Sequence, residues 1–291
     1  MKLPSLRSLF HRYPIVAFFV LSYVFAWSTW IGVGLFIPNA TTALILPGAW
    51  APTIAALIIT ALLDGRAGVR VLLRSVLRWR VALHWYLIAA FGPTMVALVA
   101  ILGHVLLGGT APSLATIAAR FGLASEDAVL LFALMPFIFI GTIFAGGPIA
   151  EELGWRGFAQ RRLQACIGPA RAGVVIGLLW ALWHLPLFFV LPLATGNIPF
   201  GWYVPLVTAF GVLFGWLYNH GGGSVLLCII LHTGINFVVG ALGLVNNDPQ
   251  LLVIFVVLMC AAAVVVGARM QGVTAHTNCV AQPGDVGSTI A

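Results

Sequence analysis

QLLVIFVVLMCAAAVVVGA, residues 250–268, runs without a single charge until Arg269 closes it. At about 1.5 Å of rise per residue a helix of this length matches a hydrocarbon core of roughly 30 Å. A membrane β-strand would instead alternate polar and apolar residues over about ten positions. The stretch is therefore a transmembrane helix, and the rest of the chain repeats the pattern. Comparable runs lie at 14–37, 42–63, 83–108, 128–150, 172–191, 202–218 and 224–244, which with 250–268 makes about eight spans.

Composition agrees. Of the 291 residues, 62% are hydrophobic and only 7% are charged. A soluble domain carries about a quarter charged residues to hydrate its surface, and this chain cannot cover such a surface. The expected fold is all-α, a polytopic transmembrane helix bundle. The first run is too long for a signal peptide and is read as a retained span.

The net charge of +7 suggests nucleic acid until the basic residues are placed. Lys2, Arg7 and Arg12 precede the first span. Arg66, Arg70, Arg74, Arg78 and Arg80 lie between spans two and three. Arg156, Arg161, Arg162 and Arg171 lie between four and five, and Arg269 follows the last. Only Arg120 falls in a loop of the opposite parity. The positive-inside rule makes the populated side cytoplasmic, so both termini are expected inside. The charge is topogenic, with a weak attraction to anionic membrane lipids, and no nucleic-acid partner is expected.

The organisation expected is a cytoplasmic segment 1–13, one membrane domain 14–270, and a small, polar, disordered tail 271–291. Within it, residues 66–80 set arginines at helical spacing against Val, Leu and Trp, an amphipathic helix for the cytoplasmic interface. Residues 109–127 form the one long outer loop. No internal repeat of the transporter kind is visible. Cys166, Cys228, Cys260 and Cys279 have no CxxC spacing, so neither a disulfide framework nor a zinc knuckle is indicated.

Against this background, ionisable side chains inside spans are the functional candidates, because lipid makes them costly. GPIAEELGWRGF, residues 147–158, ends span four with Glu151 and Glu152. His184 lies inside span five, and His232 and Asn236 inside span seven. On a helix Glu151 and Glu152 point about 100° apart, whereas Glu152 and Arg156, at i and i+4, can pair. One glutamate is thus free for chemistry while the other is tied to the arginine. His232 with Asn236, and Trp180 with His184, repeat the i, i+4 spacing. All of them fall in the inner half or near the midplane, so one cavity opening to the cytoplasm can hold them.

Such a set permits hydrolysis. A partly desolvated carboxylate can take a proton from water, a histidine can hold that water, and a second histidine with an asparagine can donate to an oxyanion. A metal reading stands beside this one. Glu151, His184 and His232 would make a zinc set with one position open for water. Sequence does not separate the two; the metal-free reading is favoured, because two carboxylates beside an arginine already supply a base and its support.

Glu-Glu-x-x-x-Arg (Glu151, Glu152, Arg156), aromatic-x-x-x-His (Trp180, His184) and His-x-x-x-Asn (His232, Asn236) resemble the three motifs of a known family. This is the CAAX-protease and bacteriocin-processing (Abi-type) family of intramembrane endopeptidases. The resemblance implies that Glu151 is the general base, that His184 positions the water, and that His232 and Asn236 stabilise the oxyanion. Glu152 and Arg156 would be orienting groups. Trp180 stands where the family usually has Phe and is expected to act only as packing beside the histidine.

Blander readings exist for each motif: an interfacial ion pair, interhelical hydrogen bonds, and a histidine beside the kink at Pro186. Three such coincidences at family spacing favour the functional reading. His84, His104 and His220 are assigned structural roles, and Cys228 is read as a buried apolar cysteine. The expected protein is an integral membrane protein of a prokaryotic cell membrane. It would cut a peptide or lipidated protein substrate near the cytoplasmic leaflet. The alternatives are a catalytically silent relative acting in immunity or as a scaffold, and, behind it, a small-solute transporter.

Overall fold

In lipid a backbone must satisfy its own polar groups, which leaves a chain this apolar little choice but helix. The computed structural model describes residues 10–37, 41–145, 147–190, 198–244 and 248–270, and among them there is no strand. The tail 271–291 and residues 1–9 of the N-terminal segment lie outside the described residues. In order the elements are α1 (Pro14–Phe36), α2 (Ala51–Val76), α3 (Leu83–Leu106), α4 (Leu114–Arg120), α5 (Leu130–Ala145) and α6 (Pro148–Glu152). A π-helical segment, Leu153–Gln160, follows. Then come α7 (Arg161–Ile167), α8 (Pro169–Trp183), α9 (Leu185–Val190), α10 (Phe200–His220), α11 (Val225–Leu242) and α12 (Pro249–Arg269).

Local chemistry sets many of the boundaries. Pro14, Pro169 and Pro249 open their helices at the position where a missing N–H costs nothing. Ser224 and Asp248 cap α11 and α12 by accepting from Leu227 N–H and Gln250 N–H.

Among the described residues, seven helical stretches are long and apolar enough to cross a membrane. An eighth crossing arises if α5 and the helix from Pro148 to Ile167, bent by 43°, are counted as one span. Side-chain contacts favour that count. Ahead of the bend, Arg120 lies against Gly243, at the end of α11. Beyond it, Arg162 pairs at 3.1 Å with Asp64, near the kink of α2. The next turns on that side also meet: Arg78 donates to the Gly222 carbonyl, and Ser224 Oγ donates to the Arg78 carbonyl at 2.7 Å. At the opposite end His104 is buried, within 2.9 Å of Gln250 and 3.8 Å of Asp248. It thus fastens α3 to the start of α12.

The expected amphipathic segment is the second part of α2. Gly65, at φ 61° and ψ −157°, breaks the helix between the buried span and the arginine-bearing turns. That backbone region is open to glycine almost alone. Outward-facing apolar side chains, among them Val20, Phe36, Leu102, Phe137 and Val264, form the lipid-facing surface. The bundle is an integral membrane fold.

Close approach of backbones positions the centre. A Cβ on Gly211 would sit 2.3 Å from the Gly173 carbonyl oxygen and 2.6 Å from the Gly177 Cα. Small residues here let α8 and α10 touch along their backbones, as membrane helices commonly do. Gly154 brings the π-helical segment onto Pro52 of α2 in the same way. Around this contact Phe18, Trp30, Trp155, Phe158, Trp183 and Phe214 form a fully buried aromatic core.

Candidate active site

Glu151 and Glu152 begin just after the bend, where Gly147 takes a left-handed conformation, φ 91°, and Pro148 starts α6. The π-helical turns that follow are buried at every residue from Leu153 to Gln160. Wide turns of this kind cost hydrogen-bond quality and often occur at functional sites.

The two glutamates have different partners. Glu152, completely buried, accepts from Arg156 Nη1 at 3.1 Å on Oε1, and its Oε2 lies 3.0 Å from the same nitrogen as an ion-pair contact. It also faces His232 Nδ1, 2.8 Å from Oε1. Arg156, fully buried rather than interfacial, lies over Phe214 at 4.0 Å and Trp180 at 4.8 Å from the ring centres. Two aromatic faces and a carboxylate thus surround the guanidinium, and cation–π attraction is strongest where water is absent. Among the described residues Glu151 makes no ion pair with an arginine or lysine. Its Oε2 accepts from the indole N–H groups of Trp180 at 2.8 Å and Trp155 at 3.2 Å.

Trp180 therefore does more than the packing expected of it. The indole N–H that a phenylalanine would lack is spent on the Glu151 carboxylate, and the ring also covers Arg156. Trp155 was not singled out from sequence at all. The signal was available: the i, i+4 rule that pairs Glu152 with Arg156 pairs Glu151 with Trp155.

The histidines reach the same place from two other spans. α8 ends at His184, whose backbone caps it, and Pro186 follows in the next helical turn. The helical hydrogen bonding is interrupted at His184, two residues before Pro186, and Trp27 Nε1–H donates to the Trp183 carbonyl there at 2.9 Å. His184 Nδ1 lies 2.9 Å from the Trp180 carbonyl, so this nitrogen carries the proton and Nε2 remains for other work. The same reasoning for His232, whose Nδ1 faces a carboxylate, leaves its Nε2. Trp180 stands between the two imidazoles, 5.2 Å from the His232 ring and 6.1 Å from the His184 ring, centre to centre. Glu151 lies close enough to His232 for their charges to interact. Asn236, half-buried, follows His232 one turn along α11. Tyr203 of α10, which no spacing pointed to, stacks edge-on against His184 at 5.5 Å.

The residues assigned structural roles behave so. His220 is an exposed residue whose Nδ1 meets its own helix at the Trp216 carbonyl, and Cys228 is buried with its thiol on the Ser224 carbonyl. Among the described residues no group of three His, Cys, Asp or Glu side chains is placed to hold a metal ion. His232 already gives Nδ1 to Glu152, and Glu151 already shares Oε2 between two indoles.

Two comparisons bear on this geometry. A family model described as Rce1-like, type II CAAX prenyl endopeptidase, matches residues 131–238. The chain is also 31% identical over 121 residues to CAAX prenyl protease 2 of Methanococcus maripaludis. That match covers 40% of this chain and 44% of the relative, so it spans less than half of either protein. Glu151, Glu152, Arg156, His184, His232 and Asn236 all fall inside the segment that the family model covers. Over residues 131–238, then, the segment that carries the candidate site is similar to the Rce1-like, type II CAAX prenyl endopeptidase family.

Proposed function

We propose that the protein is an intramembrane endopeptidase that hydrolyses a peptide bond of a membrane-associated or lipid-anchored substrate, using water activated by Glu151. One observation carries the reading. Of two adjacent buried glutamates, Glu152 is bound by a guanidinium and an imidazole, while the hydrogen bonds to Glu151 among the described residues come from the neutral indoles of Trp155 and Trp180. A carboxylate hydrogen-bonded by neutral donors, with no arginine tied to it, keeps its capacity to accept a proton, which is what a general base requires.

In the reaction, Glu151 takes a proton from a water held with the help of His184 Nε2, and the oxygen attacks the substrate carbonyl. Negative charge then develops on the carbonyl oxygen. His232, one nitrogen on Glu152, and Asn236 donate to that oxyanion, with the Glu152 carboxylate balancing the charge on the ring. As the C–N bond breaks, Glu151 returns the proton to the leaving amine, giving a free carboxylate and a free amine. Arg156 fixes Glu152, and through it His232. The relative's name, CAAX prenyl protease 2, supports a prenylated C-terminal segment as the substrate class. The one-sided basic residues support an active site that opens toward the cytoplasmic leaflet of a prokaryotic membrane.

Purified protein in detergent, given a farnesylated peptide, tests this reading. Mass spectrometry should find the two hydrolysis products, with the same rate in the presence of a strong chelator. Loss of activity on chelation, with stoichiometric zinc that disappears in His184→Ala or His232→Ala, would replace the glutamate mechanism with the metal one.

A further inference from the structure

We propose that Trp155, Trp180 and Gly147 form a holder for the Glu151 carboxylate that leaves Oε1 as the oxygen receiving the proton. The proposal rests on Glu151 being the base, as argued above, and adds which groups aim it.

Both indole bonds end on the same oxygen. Trp180 Nε1 lies 2.8 Å and Trp155 Nε1 3.2 Å from Oε2, and all three residues are buried. The donors come from different elements, Trp155 from the π-helical segment and Trp180 from α8, so the carboxylate is gripped from two directions. An oxygen accepting two N–H bonds has its lone pairs occupied and is the poorer proton acceptor of the two. Gly147 closes the third side. A Cβ at that position would lie 2.3 Å from Oε1, so only a glycine lets this oxygen occupy its place. The left-handed φ of 91° excludes other residues there a second time.

The two tryptophans are held in turn. Trp155 stacks on Phe19 and meets Phe18 and Trp183 edge-on, with ring centres 5.5–5.9 Å away. Trp180 meets Phe214 edge-on at 5.7 Å and carries Arg156 on its ring. Aromatic contacts therefore fix both indoles before any substrate arrives, the kind of second layer of support that a catalytic group needs to stay within a fraction of an ångström. Tryptophan, in place of the family's usual phenylalanine at position 180, supplies a donor as well as a ring. These are positioning residues: they act on the reaction through Glu151.

The test separates the N–H from the ring. Trp180→Phe and Trp155→Phe keep an aromatic face and remove only the donor and the second ring. Each should lower kcat on the farnesylated peptide by about 10-fold or more, the effect of one lost bond to a charged group, with KM changed by no more than about 2-fold. Independently of activity, the chain's 10 tryptophans give resolvable indole N–H signals in heteronuclear NMR. Glu151→Ala should move two of them upfield, and these should be the two that vanish in Trp155→Phe and Trp180→Phe. Unmoved Trp155 and Trp180 signals in Glu151→Ala would overturn the holder outright. Wild-type kcat in both Phe variants, while Glu151→Gln is inactive, would overturn the positioning role and spare the base assignment. Full activity in Glu151→Gln would instead remove the base, whatever the spectra show.

Discussion

At the scale of single residues, the site is organised by what each buried charge is paired with. Glu152, Arg156 and His232 form a dry trio, with Glu152 and Arg156 at 0% exposure. Removing one partner of such a pair leaves the other uncompensated, at a cost of about 3–5 kcal/mol. Glu152→Gln and Arg156→Gln should therefore each lower the unfolding midpoint in detergent. The double variant should lose much less than the sum, because the second substitution removes a group already stranded. Additive losses would mean that the two side chains act separately. This pairing was legible from i, i+4 spacing alone. The indole bonds to Glu151 were not, because Trp180 and Glu151 lie on different spans and sequence carries no distance between them. Tyr203 was invisible for the same reason.

At the scale of elements, glycines and prolines decide how the polar groups meet. Gly65 separates the buried part of α2 from its arginine-bearing end, the boundary expected between a span and an interfacial helix. Sequence marked the interruption near Pro186, since proline disrupts helical hydrogen bonding. It did not reveal that residues 153–160 widen into a π-helix, which has no composition signature of its own. Nor did it show that Gly173, Gly177 and Gly211 meet across two helices. That contact yields a sharp comparison. Gly211→Ala drives a Cβ to within 2.3 Å of the Gly173 carbonyl and should cost about 1–3 kcal/mol or more of stability. Gly201→Ala, in the same helix α10 with open space around it, should be neutral or slightly stabilising. Thermal unfolding of the two variants in one detergent measures the difference, and equal midpoints would refute the close approach of α8 and α10.

At the scale of the whole molecule, hydropathy and charge were enough for the architecture. All-α class, the positions of the spans and an integral membrane fold follow from uninterrupted apolar runs, and loop-to-loop contacts support their alternation. Absolute orientation rests on the basic residues, so we predict that a reporter fused after Ala291 is active only in its cytoplasmic form. A periplasmic signal would invert the bundle and move the site to the outer leaflet. The central claim, however, is that this bundle places the Glu151 carboxylate, held by two indoles, against a peptide bond. Single-turnover rates of wild-type and Glu151→Gln protein on the same farnesylated peptide, with matched unfolding midpoints, test it most directly. The account predicts a fall of roughly two to four orders of magnitude, since an amide cannot accept the water's proton. A folded Glu151→Gln protein that turns over within a few-fold of the wild type would contradict it.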